Sequence, residues 1–270
     1  MKNTGFINIS NNTAECKLAL WGATLLSYCP KGEVHDVFWL GDLNKFDNAQ
    51  AIRGGIPVCW PRFAAEKLND NLPRHGFARI SEWKVQGICA DENMAEAVLQ
   101  LVPDAKYNIR AAATLRIKIT DKLDYSLETV NLGEEPLIFA EALHCYFNIS
   151  SIENISINGL QGCSYRSSLD GQKYMQEGAL KINGEFDAAF LEHCGRTEIE
   201  DREYQRVIVI EKTGSKTTVV WNPAKDLAEM SAGQYKKFVC VEPSNVGDFA
   251  VCLQSGQTHK IGLTISVQKL

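Results

Sequence analysis

Residues 114–120 read Thr-Leu-Arg-Ile-Lys-Ile-Thr, a strict alternation of apolar and polar side chains. Extended backbone points successive side chains to opposite faces, so Leu115, Ile117 and Ile119 share one face of a strand. Asp121-Lys122 follows as a turn, and Tyr125 and Leu127 then alternate with Ser126 and Glu128 across Leu123 to Val130, which predicts a hairpin. The C-terminal Gly262 to Gln268 alternates in the same way. Further strand candidates are Glu15–Leu20, Thr24–Tyr28, Val34–Leu40, Trp83–Ile88, Ala95–Val102, Leu137–Phe147, Thr217–Trp221 and Phe238–Glu242. Helical periodicity is scarce. The best stretch is Pro223 to Met230, about two turns, with Asn222 as N-cap and Pro223 in the first turn. Residues 186–194 form a second candidate. Many short strands and few short helices predict an all-β antiparallel sandwich or barrel. No repeat, low-complexity tract or long linker interrupts residues 1–270, so a single domain is expected. The loops at 41–54, 62–74 and 161–206 are long, and long loops on a β scaffold are where function tends to sit.

Composition narrows the function. A net charge of −5 argues against a general nucleic-acid binder, which needs a strongly basic face. It leaves room for a small anion held by a few arginines. No apolar run follows Met1 to Asn8 and no stretch of about 18 apolar residues occurs, so neither a secretory leader nor a membrane span is expected. The nine cysteines lie singly, without a Cys-x-x-Cys pair, and read as reduced thiols of a cytoplasmic protein. No Gly-x-Ser-x-Gly and no P-loop is present, and Cys145 and His144, as strand neighbours, point to opposite faces. The histidines are isolated in sequence, so no metal site is expected.

Of the five histidines, His35, His193 and His259 read as surface or structural residues. His75 differs, with Arg74 before it, Gly76 after it and Arg79 four residues on. His144 ends an apolar run in which alternation places Ala140, Ala142, His144 and Tyr146 on one face. Glu242 closes the strand candidate that begins at Phe238 and is followed by Pro243. A buried imidazole or carboxylate has a shifted pKa, which is how an acid or base working near neutral pH is tuned. Each of these residues also has an ordinary structural explanation when taken alone.

Four ordered segments change that balance. They are Arg53-Gly54-Gly55-Ile56-Pro57-Val58-Cys59-Trp60-Pro61-Arg62-Phe63, Leu72-Pro73-Arg74-His75-Gly76-Phe77-Ala78-Arg79, Glu141-Ala142-Leu143-His144-Cys145-Tyr146-Phe147, and Val219-Val220-Trp221-Asn222-Pro223 leading to Val239 to Val246. Together they resemble the hexose-6-phosphate mutarotases, the glucose-6-phosphate 1-epimerase branch of the aldose 1-epimerase family. The resemblance implies a galactose-mutarotase-like antiparallel β-sandwich (supersandwich), with a sugar cleft on one sheet and neither metal nor organic cofactor. It implies Glu242 as general base, His144 as general acid, His75 and Asp187 as sugar-binding residues, and Arg53 and Arg79 at the phosphate end. The chain departs from the family pattern at Arg62 and Ala64, at Ala188-Ala189 after Asp187, and at Arg74. Arg62 and Arg74 are therefore candidates for a rebuilt phosphate contact. The implied partner is a small sugar phosphate, with no nucleic acid and no membrane; a monomer is compatible with the sequence, which does not fix the oligomeric state. Alternatives are an aldose 1-epimerase of a free sugar or another sugar phosphate, and a non-catalytic carbohydrate-binding module.

Overall fold

The computed structural model describes residues 5–64 and 71–270. Residues 65–70 of the expected 62–74 loop, and Met1 to Thr4, lie outside the described residues. The architecture is almost wholly antiparallel β-structure. A back sheet orders its eight strands as Ile155–Asn158, Thr197–Asp201, Arg206–Thr213, Thr258–Lys269, Leu123–Asn131, Ala111–Ile119, Ala95–Leu101 and Trp83–Ala90. A front sheet runs Lys173–Met175, Ser164–Ser167, Phe186–Leu191, Thr217–Asn222, Phe238–Asn245, Glu141–Leu143 and Val58–Cys59, with Tyr146–Asn148 also paired to Phe238–Asn245. Phe6–Ser10, Ala14–Ala19 and Leu25–Pro30 form a separate three-stranded sheet.

The predicted hairpin pairs Ala111–Ile119 with Leu123–Asn131 in register from Ala111↔Asn131 to Ile119↔Leu123. Its inward face carries Leu115, Ile117, Ile119, Leu123, Tyr125 and Leu127, all buried. Val239 and Val241, Val220, Phe190 and Leu143 of the front sheet complete the same apolar core. Burial of this kind stabilises by about 25 cal/mol per Å² of apolar surface and is what holds two sheets face to face. Only 3-10 turns, such as Ala78–Ile80 and Gln234–Lys237, supply helix among the described residues. No described helix is long and apolar enough to cross a membrane.

Four local expectations are corrected. Pro223 to Met230 is not helical. Asn222 does cap Ala224 N–H through its side chain at 2.9 Å, but it ends the strand Thr217–Asn222 and also donates to the carbonyls of Tyr235 and Phe238. Ala224 then takes φ +51°, which a helix does not allow. Residues 186–194 instead begin with the strand Phe186–Leu191, paired over six residues from Phe186↔Asn222 to Leu191↔Thr217, so tertiary pairing overrides the helical propensity of Ala188-Ala189. Val34–Leu40 makes only the isolated bridges Phe38↔Phe147 and Leu40↔Gly54, because Asp36 draws the Phe38 and Tyr28 amides onto its carboxylate. The 161–206 loop likewise contains the strands Ser164–Ser167, Lys173–Met175 and Thr197–Asp201.

Candidate active site

The strand Phe238–Asn245 sends Val239 and Val241 into the intersheet core. Alternation then turns Phe238, Cys240, Glu242 and Ser244 to the outer face of the front sheet. That face is covered as well: all eight residues of the strand are buried. Trp39, Tyr146, Met230, Phe238 and Cys240 form a second apolar cluster there, with Trp221, Leu227 and Tyr235 packed around it.

Two short strands flank Glu242 on one side. Glu141–Leu143 pairs through Ala142↔Ser244, and Tyr146–Asn148 pairs through Tyr146↔Cys240. The same register, continued across the break between them, sets His144 opposite Glu242. At the break the His144 amide turns away and donates to the Pro57 carbonyl at 3.1 Å. The His144 Nδ1 and Glu242 Oε1 atoms stand 3.3 Å apart. The His144 ring stacks on Tyr146 at 4.7 Å and meets Trp221 edge-on at 5.8 Å. Cys145 points into the intersheet core, away from His144.

His75 enters from the 71–80 loop. It adopts φ +60°, and Gly76 follows at φ +68°. A Cβ on Gly76 would lie 2.0 Å from the Trp60 carbonyl oxygen, so only glycine lets this loop hydrogen-bond onto Trp60. The turn brings the His75 ring to 5.7 Å from His144. His75 Nδ1 accepts the Ala64 N–H at 3.2 Å, so in the neutral ring the proton sits on Nε2, which is then a donor. Burial, reinforced by Arg79, Arg74 and Arg53, pushes the His75 pKa down to about 3. This imidazole is neutral at physiological pH.

Burial also drives the central pair toward its uncharged forms. The Glu242 carboxyl is held well above the usual carboxylate range by burial and by the charge of Asp187. The His144 imidazole is held well below its usual value by burial, His75, Arg53 and Arg79. Glu242 Oε2 and His144 Nδ1 are enclosed without a hydrogen-bond partner. Both shifts favour the protonated carboxyl and the neutral imidazole, so this buried pair is biased toward holding one proton between its two members and no net charge.

The remaining candidates divide. Asp187 sits beside Trp221 in the register, partly buried, and burial raises its pKa against the opposing effects of Ser168 and Arg74. Arg53 donates from Nε to Glu229 at 3.2 Å and from Nη1 to the Tyr146 hydroxyl at 3.0 Å. Arg79 donates to the Arg74 carbonyl at 3.0 Å and keeps its Nε buried without a partner. Arg74 lies close enough to Asp187 and His75 to act on both charges. The buried Arg62 guanidinium holds the Leu72 carbonyl and so fastens the loop. His259 pairs with Glu141 at 2.8 Å, His193 bonds Thr218 and Gly159, and His35 stacks on Tyr204. Two surface depressions, one of about 390 Å³ beside Arg110 and Glu134 and one of about 260 Å³ beside Lys118 and Lys260, include none of these residues.

Sequence reasoning missed Trp221, Tyr146, Glu229 and Cys240 as members of this neighbourhood. Tyr146 had a signal, since alternation puts it on the face of His144. Glu229 had none, because it meets Arg53 across 176 residues.

A family model described as aldose 1-epimerase matches residues 6–266. A protein of Escherichia coli (strain K12), named "Putative glucose-6-phosphate 1-epimerase", is 31% identical over 248 residues, covering 87% of this chain and 81% of its own length. The crystal structure of a "putative mutarotase" from Salmonella typhimurium superposes with a TM-score of 0.89 at 27% identity, covering 98% of this chain and 90% of that one. A galactose mutarotase related enzyme from Lactobacillus acidophilus shares the fold, with a TM-score of 0.76 at 13% identity over 98% of each chain.

Proposed function

The chain belongs to the aldose 1-epimerase family, and from that premise we propose that it interconverts the α and β anomers of a hexose 6-phosphate, glucose 6-phosphate first. The observation that carries this reading is the His144–Glu242 pair, 3.3 Å apart on the buried outer face of the front sheet with His75 beside it. Ring opening removes one proton from O1 and delivers one to O5. Shifting the shared proton from Glu242 to His144 gives a carboxylate and an imidazolium. Glu242 then takes the O1 proton, the C1–O5 bond breaks as C1=O1 forms, and His144 protonates O5. Rotation about C1–C2 and closure on the other face of the carbonyl, with roles reversed, yields the other anomer. General acid–base catalysis by such a positioned pair typically contributes about 10²–10⁴-fold. His75, neutral, donates Nε2–H to a sugar oxygen, and Asp187 accepts from sugar hydroxyls.

Arg79 and Arg74 are assigned to the phosphate, with Arg53 behind them. Charge-assisted bonds from guanidinium to phosphate are strong and frequently bidentate. A second reading, a free aldose as substrate, draws on Arg53, whose guanidinium is already engaged by Glu229 and Tyr146. Exchange between C1 anomers, followed by NMR with glucose 6-phosphate and with glucose, tests both. Acceleration confined to the phosphosugar supports the proposal. Equal acceleration moves the assignment to the free sugar, and no acceleration of either removes the enzymatic reading.

A further inference from the structure

His144, Cys240 and Glu242 each present one ligand atom such that all three atoms lie within 4.8 Å of one another, and all three residues are buried. Cys240 and Glu242 are two residues apart on Phe238–Asn245 and so share its outer face, while His144 arrives from the broken strand opposite. Nothing in the sequence spacing announces this trio, because its members come together only through strand register. The sugar chemistry proposed above uses His144 and Glu242 and gives Cys240 no part. Independently, His144 Nδ1 and Glu242 Oε2 are enclosed without any hydrogen-bond partner. Buried polar atoms of this kind are normally paired, so two at one point signal a ligand.

We propose that this trio is a binding site for a borderline-soft divalent cation, Zn²⁺ foremost, which enters through the sugar cleft and silences the acid–base pair. An imidazole nitrogen, a thiolate and a carboxylate are each zinc donors, and zinc sites with three protein ligands leave a fourth position open. Zinc bonds of about 2.0 Å to nitrogen and about 2.3 Å to sulfur place tetrahedral neighbours roughly 3.3–3.8 Å apart. The His144–Glu242 separation of 3.3 Å already meets that, and with all three ligand atoms within 4.8 Å of one another, binding requires a side-chain adjustment to close the remaining distance to Cys240. Mg²⁺ and Ca²⁺ take six or more oxygen ligands and have no use for the thiol. On binding, the Cys240 thiol proton and the proton shared by His144 and Glu242 leave to solvent, and their lone pairs become metal bonds. Neither a base nor an acid then remains for the sugar. Binding of the ion stands apart from the sugar reading; its inhibitory effect rests on that reading.

The test uses the full chain with a non-thiol reductant. Cadmium is titrated alone while the thiolate-to-cadmium absorption is read, and Zn²⁺ is titrated while anomer exchange of glucose 6-phosphate is read. The expected result is a cadmium band that is lost in Cys240→Ala and in Cys240→Ser and suppressed by saturating glucose 6-phosphate. Zn²⁺ inhibition of the wild type should be reversed by chelator. In whichever of the two variants folds, Zn²⁺ inhibition is read relative to that variant's own basal exchange. The Zn²⁺ needed for half-inhibition should rise by at least the roughly ten- to hundredfold that losing even an outer-shell partner costs. A band that survives both substitutions belongs to other thiols, such as the exposed Cys89, Cys194 and Cys252, and overturns the proposal. Unchanged Zn²⁺ inhibition in the variants overturns it as well. A Cys240-dependent band in a protein with no exchange activity keeps the metal site and removes the sugar reading. Normal exchange with no Cys240-dependent band does the reverse.

Discussion

Two strands of similar length show how differently the two sheets use the same geometry. Ala111–Ile119, in the middle of the back sheet, alternates between buried and partly or fully exposed residues from Ala113 onward. Phe238–Asn245, in the middle of the front sheet, is buried at every position. The first strand has one apolar face and one wet face. The second has an apolar face toward the core and a mixed face, with Cys240, Glu242 and Ser244, under the covering loops and neighbouring strands. A covered second face costs desolvation wherever a polar group is not paired, and the front sheet accepts that cost at Glu242 and His144. Burial on both faces is not unique to the front sheet, since Ile208, Val209 and Ile210 of the back sheet share it; what sets Phe238–Asn245 apart is an enclosed carboxylate on its second face.

The sharpest way to break that contrast is to remove the buried carboxylate while keeping its shape. Glu242→Gln should lower kcat for anomer exchange by about 10²–10⁴-fold with little change in KM, because only the proton acceptor is lost. A loss below tenfold, read by NMR line shapes or exchange spectroscopy, would show that Glu242 is not the base. The matching substitution on the back sheet is Leu115→Ala, which should cost about 2–5 kcal/mol of unfolding free energy in a urea titration. Exchange activity per folded molecule should stay unchanged. Activity falling in step with stability would mean that the sheets do not divide the labour as described.

How much of this was legible follows from the same contrast. The hairpin at 114–130 and the final strand were readable because one face is wet, and the alternation therefore survives in the sequence. The strand Arg206–Thr213 escaped that reading. Its run Val207-Ile208-Val209-Ile210 is buried at Ile208, Val209 and Ile210, and a strand covered on both faces shows no alternation. His144 and Glu242 were visible as unusual residue types at the ends of apolar runs. Their meeting was not, because it depends on the register Ala142↔Ser244 and Tyr146↔Cys240 across about a hundred residues. The engagement of Arg62 with Leu72 and of Arg53 with Glu229 was equally hidden, since a guanidinium in a loop looks the same whether it holds a carbonyl or waits for a ligand.

That ambiguity makes the arginines the next test. Arg79→Ala should reduce kcat/KM for glucose 6-phosphate about ten- to a hundredfold, the equivalent of one charge-assisted hydrogen bond of about 1.5–3 kcal/mol. Turnover of glucose should hardly move. Arg62→Ala should show the opposite profile, with a lowered Tm and equal turnover changes on the two sugars, because its partner is the Leu72 carbonyl. Equal losses for Arg79→Ala on the two sugars would class Arg79 with Arg62 as a loop fastener.

The smallest expected effect lies where the two sheets join. Lys212, near the end of the back-sheet strand Arg206–Thr213, reaches to the front sheet and donates to the Thr217 carbonyl at 2.8 Å and to Thr218 Oγ1 at 2.7 Å. Burial lowers its pKa to about 7, although Cys194 and Cys163 act in the opposite direction. In the unfolded chain a lysine titrates near pH 10.4, so above about pH 7 the unfolded state holds a proton that the folded state releases. Stability therefore rises with pH in that window, by no more than about 1.4 kcal/mol per pH unit for one proton. The buried thiols Cys16, Cys145 and Cys240 have pKa values raised by burial, and they work the other way once unfolded thiols begin to ionise near pH 8.5. The clean interval is thus pH 7 to 8.5, and the quantity to read is the difference between wild type and Lys212→Met. The variant should lose the upward slope in urea unfolding while its anomer exchange, measured at one pH, stays at the wild-type rate. Parallel slopes for the two proteins would mean that Lys212 keeps its proton through this range, and that the junction carries its positive charge in the folded state.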